Sequence, residues 1–176
     1  MSTAEFNECA DLIDNETVKE LDSEYVSLLS GNDSPFQMMM NMQNDLQALY
    51  SSKHQRTPAP HDIKTKGELI DFLKDQKEAF DDEFRELIEA VHGMSRPASE
   101  RSAGWKKWKS NYDTIRAEGV DENLTNDDIA EVKFEGIDML HFFMNMMLAL
   151  RLDEREMYAL YNLKNRENYN RQFKGY

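Results

Sequence analysis

The stretch IAEVKFEGIDMLHFFMNMMLAL, residues 129–150, decides how this chain folds. Its apolar residues do not alternate as in a half-buried strand; they cover most of a helical circumference, the mark of an enclosed helix. Val132, Phe134, Ile137, Met139, Leu140, Phe142, Phe143, Met144, Met146, Met147 and Leu148 supply that coverage. Glu131, Glu135, Asp138 and Asn145 interrupt it along one narrow stripe. Carboxylates on an enclosed helix are costly unless they are paired or hold a cation. No Lys or Arg stands three or four positions from Glu135 or Asp138. The stripe therefore needs a basic partner from another helix, or a metal ion.

A second acidic stretch, DDEFRELIEAVHG, occupies residues 81–93. At the helical repeat, Phe80, Phe84, Leu87, Ile88 and Val91 fall within about a third of the circumference and predict a stripe that faces the core. Glu83 lies on its flank beside Ala79 and Ala90, Glu86 lies one step further round, and Asp81, Asp82 and Glu89 fall mostly elsewhere. Alone, Glu83-x-x-Glu86 decides little, because many solvated helices carry such a pair. Two such pairs together suit a hard divalent cation. Residues at i and i+3 share a face, and Mg²⁺ takes a few carboxylates, several waters and the phosphates of a substrate. Cys9, His92 and His141 show no zinc spacing. His141 reads as a core or supporting residue.

The rest of the chain fits an all-α helical bundle of about five to seven helices, in one catalytic domain over residues 1–176. Seven Gly and four Pro leave few turns, and eleven Met favour helices. A hydrophobic share of 40% argues against disorder. One or two amphipathic helices are expected in residues 1–30, with Leu12, Leu21, Leu28 and Leu29 as their apolar positions. A helix over Pro35–Tyr50, capped by Ser34, and a loop over residues 51–62 follow. The next helix spans Thr65–His92, with a break near Gln76 and a stop at Gly93. Residues 93–104 read as loop and 105–119 as a short helix or turn. Thr125 or Asn126 caps a helix over residues 127–151, and a last helix over 153–165 leads into the polar tail RENYNRQFKGY.

A net charge of −13 disfavours a general nucleic-acid binder, which needs a basic face. The single Cys9 allows no internal disulfide and fits a reducing compartment. The first residues lack the basic and apolar segments of a secretory signal. The apolar run from Met139 to Leu150 is too short to span a bilayer. A soluble, cytoplasmic protein is expected. Two basic segments stand out, WKKWK at 105–109 and the tail from Asn162, with Lys164, Arg166, Arg171 and Lys174 against a lone Glu167. They are either snorkelling surface patches or, beside an acidic metal site, contacts for a polyphosphate and a base.

DDEFRELIEA together with KFEGIDMLHFFMNM resembles the E-x-x-E…E-x-x-D signature of the all-α nucleoside triphosphate pyrophosphatases, which include the MazG-like enzymes and the dimeric dUTPases. MQNDLQ (42–47), WKKWKSNY (105–112) and YALYNLKNRENYNRQFKGY (158–176) are similar to a T-even-type phage branch of that superfamily, acting on dCTP and dUTP. The similarity runs from FNECADLI (6–13) to the terminal GY.

The resemblance implies Mg²⁺-dependent hydrolysis of dCTP and dUTP to the monophosphate and pyrophosphate, with two or more ions per site. It implies Glu83, Glu86, Glu135 and Asp138 as metal ligands, with Glu83 and Glu86 also catalytic and Glu86 polarising the attacking water. Gln43 and Gln47 match the base-contacting amides, although the second is more often Asn in the dimeric dUTPases. Trp105 and Trp108 would wall the pocket, and Lys109, Lys164, Asn168 and Arg171 would contact the substrate. A homodimer in the host-cell cytoplasm is implied, controlling the phage deoxynucleotide pool and associating with other nucleotide-synthesis enzymes. The nearest alternatives are a dimeric dUTPase or a broader house-cleaning pyrophosphatase, and, from another class, a helical partner-binding protein with a solvated acidic face. A di-iron bundle is disfavoured because no E-x-x-H appears.

Overall fold

Short polar side chains start the main helices. The computed structural model describes residues 13, 15–31, 34–54 and 57–174; Cys9, Leu12 and the terminal GY lie outside them. Among the described residues there are seven α-helices, two 3₁₀ turns and no strand. They are α1 Asn15–Ser30, α2 Pro35–Lys53, α3 Lys66–Val91, α4 Ala98–Arg101, α5 Tyr112–Arg116, α6 Asn126–Ala149 and α7 Glu154–Lys174. The 3₁₀ turns, Pro60–Asp62 and Ser102–Gly104, fall within stretches expected to be loop. No described helix is long and apolar enough to cross a membrane.

Ser34 caps α2, its Oγ accepting from Gln37 N at 3.2 Å, with Pro35 at the first position. Thr65 and Glu68 form a reciprocal box at the start of α3, as do Thr125 and Asp128 at the start of α6. α3 runs unbroken through Gln76, which is buried, so the break expected there is absent. Gly93, at φ 86°, follows its end. α6 ends in a Schellman turn, with Leu152 N donating to Met147 O and Arg151 N to Leu148 O around a left-handed Arg151. α7 continues through Lys174, so most of the expected tail is helix.

The chain forms two compact units. One holds the described residues of Met1–Val26 and Asp75–Phe143; the other holds those of Ser27–Lys74 and Met144–Tyr176. In the second, Ile63, Phe72 and Ala149 form a small buried cluster with Leu69 against it. In the first, Ala90, Ala103 and Ile115 are buried.

The helices present different faces from those expected. Phe84 is 48% and Val91 45% exposed while Phe80, Leu87 and Ile88 are half-buried, so the apolar stripe of α3 faces the core only in part. The most buried line runs through Phe72, Gln76 and Ala90, with half-buried Ala79 and Glu83 on it; Ala79, Glu83 and Ala90 are the expected flank. α6 is likewise not enclosed all round: Ile137 and Phe143 are exposed, while Asp128, Glu131, Glu135 and Asn145 are buried. Helical spacing fixes which residues share a line, not which line turns inward.

Candidate functional site

α3 and α6 bring Glu83, Glu86 and Glu135 together. Each offers one carboxylate oxygen, and the three oxygens lie within 4.8 Å of one another. Glu135 is buried, Glu83 half-buried and Glu86 exposed, so the group opens to solvent on one side. Asp138, half-buried, stands outside this trio, yet its charge raises the pKa of all three. Among the described residues no Lys or Arg forms an ion pair with any of the four. Of the two ways to support buried carboxylates, the basic partner is the one the described residues lack.

The electrostatics follow. Burial pushes the Glu135 carboxyl up to about 8, and the charges of Glu86, Glu83, Glu131 and Asp138 add to the shift. Burial, then Glu86, Asp138 and Asp82, raise Glu83. Burial, then Glu89, Asp82, Asp138 and Glu131, raise Glu86. Asp128, on the same line of α6, goes the other way. Its burial would raise it, but hydrogen bonds from Thr125, Ser95 and Met94 outweigh that and hold it below the usual carboxylate range. Asp128 is a structural carboxylate, satisfied by donors. The trio is not, and such a set of oxygen ligands fits a hard divalent cation. Glu131 has a place in the sequence stripe but no assigned role there; it is buried and adds its charge to Glu86 and Glu135.

The second unit holds a different polar group. Gln43 and Gln47, one turn apart on α2, are both buried. Gln43 Nε2 donates to Asn145 Oδ1 at 2.8 Å, and Asn145 Nδ2 donates to Gln47 Oε1 at 3.2 Å. Asn145 has no substrate role in the sequence reading; here it links the two glutamines. Its signal was its position on the polar stripe of α6.

The remaining expected residues are more open. Trp105 and Trp108 pack edge to face, ring centres 6.5 Å apart, with Lys106 Nζ 4.3 Å over the Trp105 ring. Trp108 is 76% exposed, so this chain alone does not close a pocket over it. Lys109 is half-buried. On α7, Lys164 and Asn168 are exposed, and Arg171 Nε donates to Glu167 at 3.0 Å.

No family model matches the chain, and no solved structure matches it. Three curated phage proteins do. The chain is 39% identical over 173 residues to a dCTP pyrophosphatase of Enterobacteria phage T4, covering 98% of this chain and 99% of that protein. It is 40% identical over 174 residues to a dCTP pyrophosphatase of Enterobacteria phage LZ5, with the same coverage. A DNA replication protein of phage T4 is 39% identical over 163 residues, spanning 93% of this chain but 41% of that protein.

Proposed function

Because the chain belongs to the family of phage dCTP pyrophosphatases, we propose that it hydrolyses dCTP to dCMP and pyrophosphate with Mg²⁺ held by its acidic group. The observation that carries this reading is the convergence of Glu83, Glu86 and Glu135 without a basic partner among the described residues. Asp138 completes the ligand set. Bound Mg²⁺, two or more ions per site, supplies neutralisation of the triphosphate and acidification of the attacking water. Glu86, the exposed member, orients that water and accepts its proton, with Glu83 beside it. As water adds to phosphorus, the bond between the α- and β-phosphates breaks and pyrophosphate leaves. No nucleophilic side chain is needed.

Gln43 and Gln47 are the proposed base contacts, with Asn145 holding their amides. Trp105 and Trp108 wall the base, and Lys109, Lys164, Asn168 and Arg171 contact the substrate, the last three at its phosphates. A carboxamide offers both a donor and an acceptor, so cytosine and uracil can each be met and dUTP is a second substrate. The whole chain acts as one catalytic domain in the host cytoplasm, where it controls the deoxynucleotide pool and associates with other nucleotide-synthesis enzymes. It acts as a homodimer, a reading supported by the exposed Met39, Met42, Leu46 and Leu49 of α2 and by Phe84, Ile137 and Phe143. A strictly monomeric mass by light scattering at micromolar concentration contradicts the dimer.

Product analysis over the common dNTPs, with Mg²⁺ and with excess EDTA, tests the reaction. The expected result is dCMP or dUMP plus pyrophosphate, no turnover of dATP, and silence in EDTA. Gln43→Ala should slow both pyrimidines together. Undiminished turnover in EDTA would sink the metal reading.

A further inference from the structure

Gly104 has no room for a side chain. A Cβ there would lie 1.9 Å from His92 Cε1 and 2.4 Å from Nε2. Backbone freedom does not explain this glycine, because its φ, unlike that of Gly93, is not in the left-handed region. The imidazole ring explains it: His92 lies where the side chain would be.

Both partners of this contact are held. His92 follows the end of α3, six positions after Glu86, and its Nδ1 is 2.5 Å from Ile88 O. Gly104 ends the turn Ser102–Gly104, all three residues of which are buried, and its carbonyl accepts from Arg116 Nη1 at 3.2 Å. The next residue is Trp105. Lys106 N then donates back to Ala103 O and Lys109 N to Lys106 O, so the Trp-Lys segment unrolls from this turn in a chain of short-range bonds.

We propose that the His92–Gly104 contact is the joint that seats the Trp105–Lys109 segment on the helix carrying Glu83 and Glu86, which makes His92 and Gly104 positioning residues for the pyrimidine substrate. The effect on substrate rests on the reading of the Trp pair as the wall of the base pocket. A methyl group at position 104 breaks the joint whichever side yields. The turn can shift, or the ring can rotate into the adjoining cavity of about 330 Å³, lined in part by Val91, Ile115 and Val120.

The test is a double-mutant cycle on the full-length protein with Gly104→Ala, His92→Ala and the double variant. The chain has two Trp, both in this segment, so acrylamide quenching of tryptophan fluorescence reports its seating without substrate. Each single variant should increase quenching and raise KM for dCTP about tenfold, roughly 1.4 kcal/mol of binding, with kcat changed far less. The double variant should be no worse than the worse single, because both changes break the same contact. Unchanged quenching in the singles, or effects that add in the double, overturns the joint. Altered, non-additive quenching with an unchanged KM keeps the joint and overturns the Trp pocket. Should Gly104→Ala fail to fold, His92→Ala alone decides by quenching: a rise supports the joint, and none overturns it.

Discussion

Two polar rows mark this molecule, one buried and one open to solvent on one side, and α6 contributes to both. In one, Asn145 joins Gln43 and Gln47, each link a donor meeting an acceptor. In the other, Glu83, Glu86 and Glu135 present oxygens to one another with no donor between them, and Glu135 is driven to about 8. Neutral amides can satisfy each other because each carries both halves of a hydrogen bond. Carboxylates cannot, so they either keep a proton or require a cation. The first row is built to be stable by itself. The second is not satisfied by any donor among the described residues.

The comparison breaks most sharply at Glu135. Glu135→Gln should cost at least about a hundredfold in dCTP turnover, the scale of a lost catalytic electrostatic contact, while the metal-free protein melts no lower than wild type. A steady-state assay beside a thermal melt checks both halves. Near-wild-type turnover would put the metal elsewhere.

The next effect is on the pH dependence of the metal-free protein. The folded pKa of Glu135 lies above the ordinary 4.5, so between 4.5 and about 8 the folded state holds a proton that the unfolded state has released. That contribution to stability is fully present below 4.5 and is lost as pH rises through about 8, at up to roughly 1.4 kcal/mol per pH unit. Denaturant titrations in EDTA should show this decline, and saturating Mg²⁺ should flatten it. A metal-free stability that climbs from pH 5 to 8 contradicts the crowding.

The smallest effect belongs to the amide row, and its sign is opposite. Asn145→Leu removes one bond from each glutamine and should destabilise the fold by about 1–3 kcal/mol, without relief at any pH. A urea midpoint equal to that of wild type would mean the two bonds of Asn145 do not hold the fold.

Much of this was legible in the sequence because the signals are local. Ser34, Thr65, Thr125 and Gly93 mark helix ends through bonds made within one turn. The two acidic pairs are equally plain. The facing of α3 and α6 was not legible, because apolar residues are assumed to point inward, and here Phe84, Val91 and Ile137 do not. Nor was the partnership of Asn145 with Gln43, 102 positions away, since no spacing rule spans that distance. The end of α7 is not legible in the sequence for a third reason. Its composition is polar enough for a tail, yet pairs such as Glu167 and Arg171, four apart, support a helix that nothing needs to bury.

That helix has a kinetic consequence. α7 has no buried residue along its 21 positions; at its start Asp153 Oδ1 accepts from Glu156 N at 2.8 Å, and Ser34 Oγ donates to Glu154. Opening should therefore grow easier toward Lys174, and backbone amides there should exchange with solvent faster than those near Glu154. Lys164 and Asn168, both exposed, ride on that far half. Phosphate groups gripped by such a half must first order it, which weakens the grip and shortens the stay of whatever is held. In an enzyme whose two products both carry phosphate, a loosely sprung latch favours release.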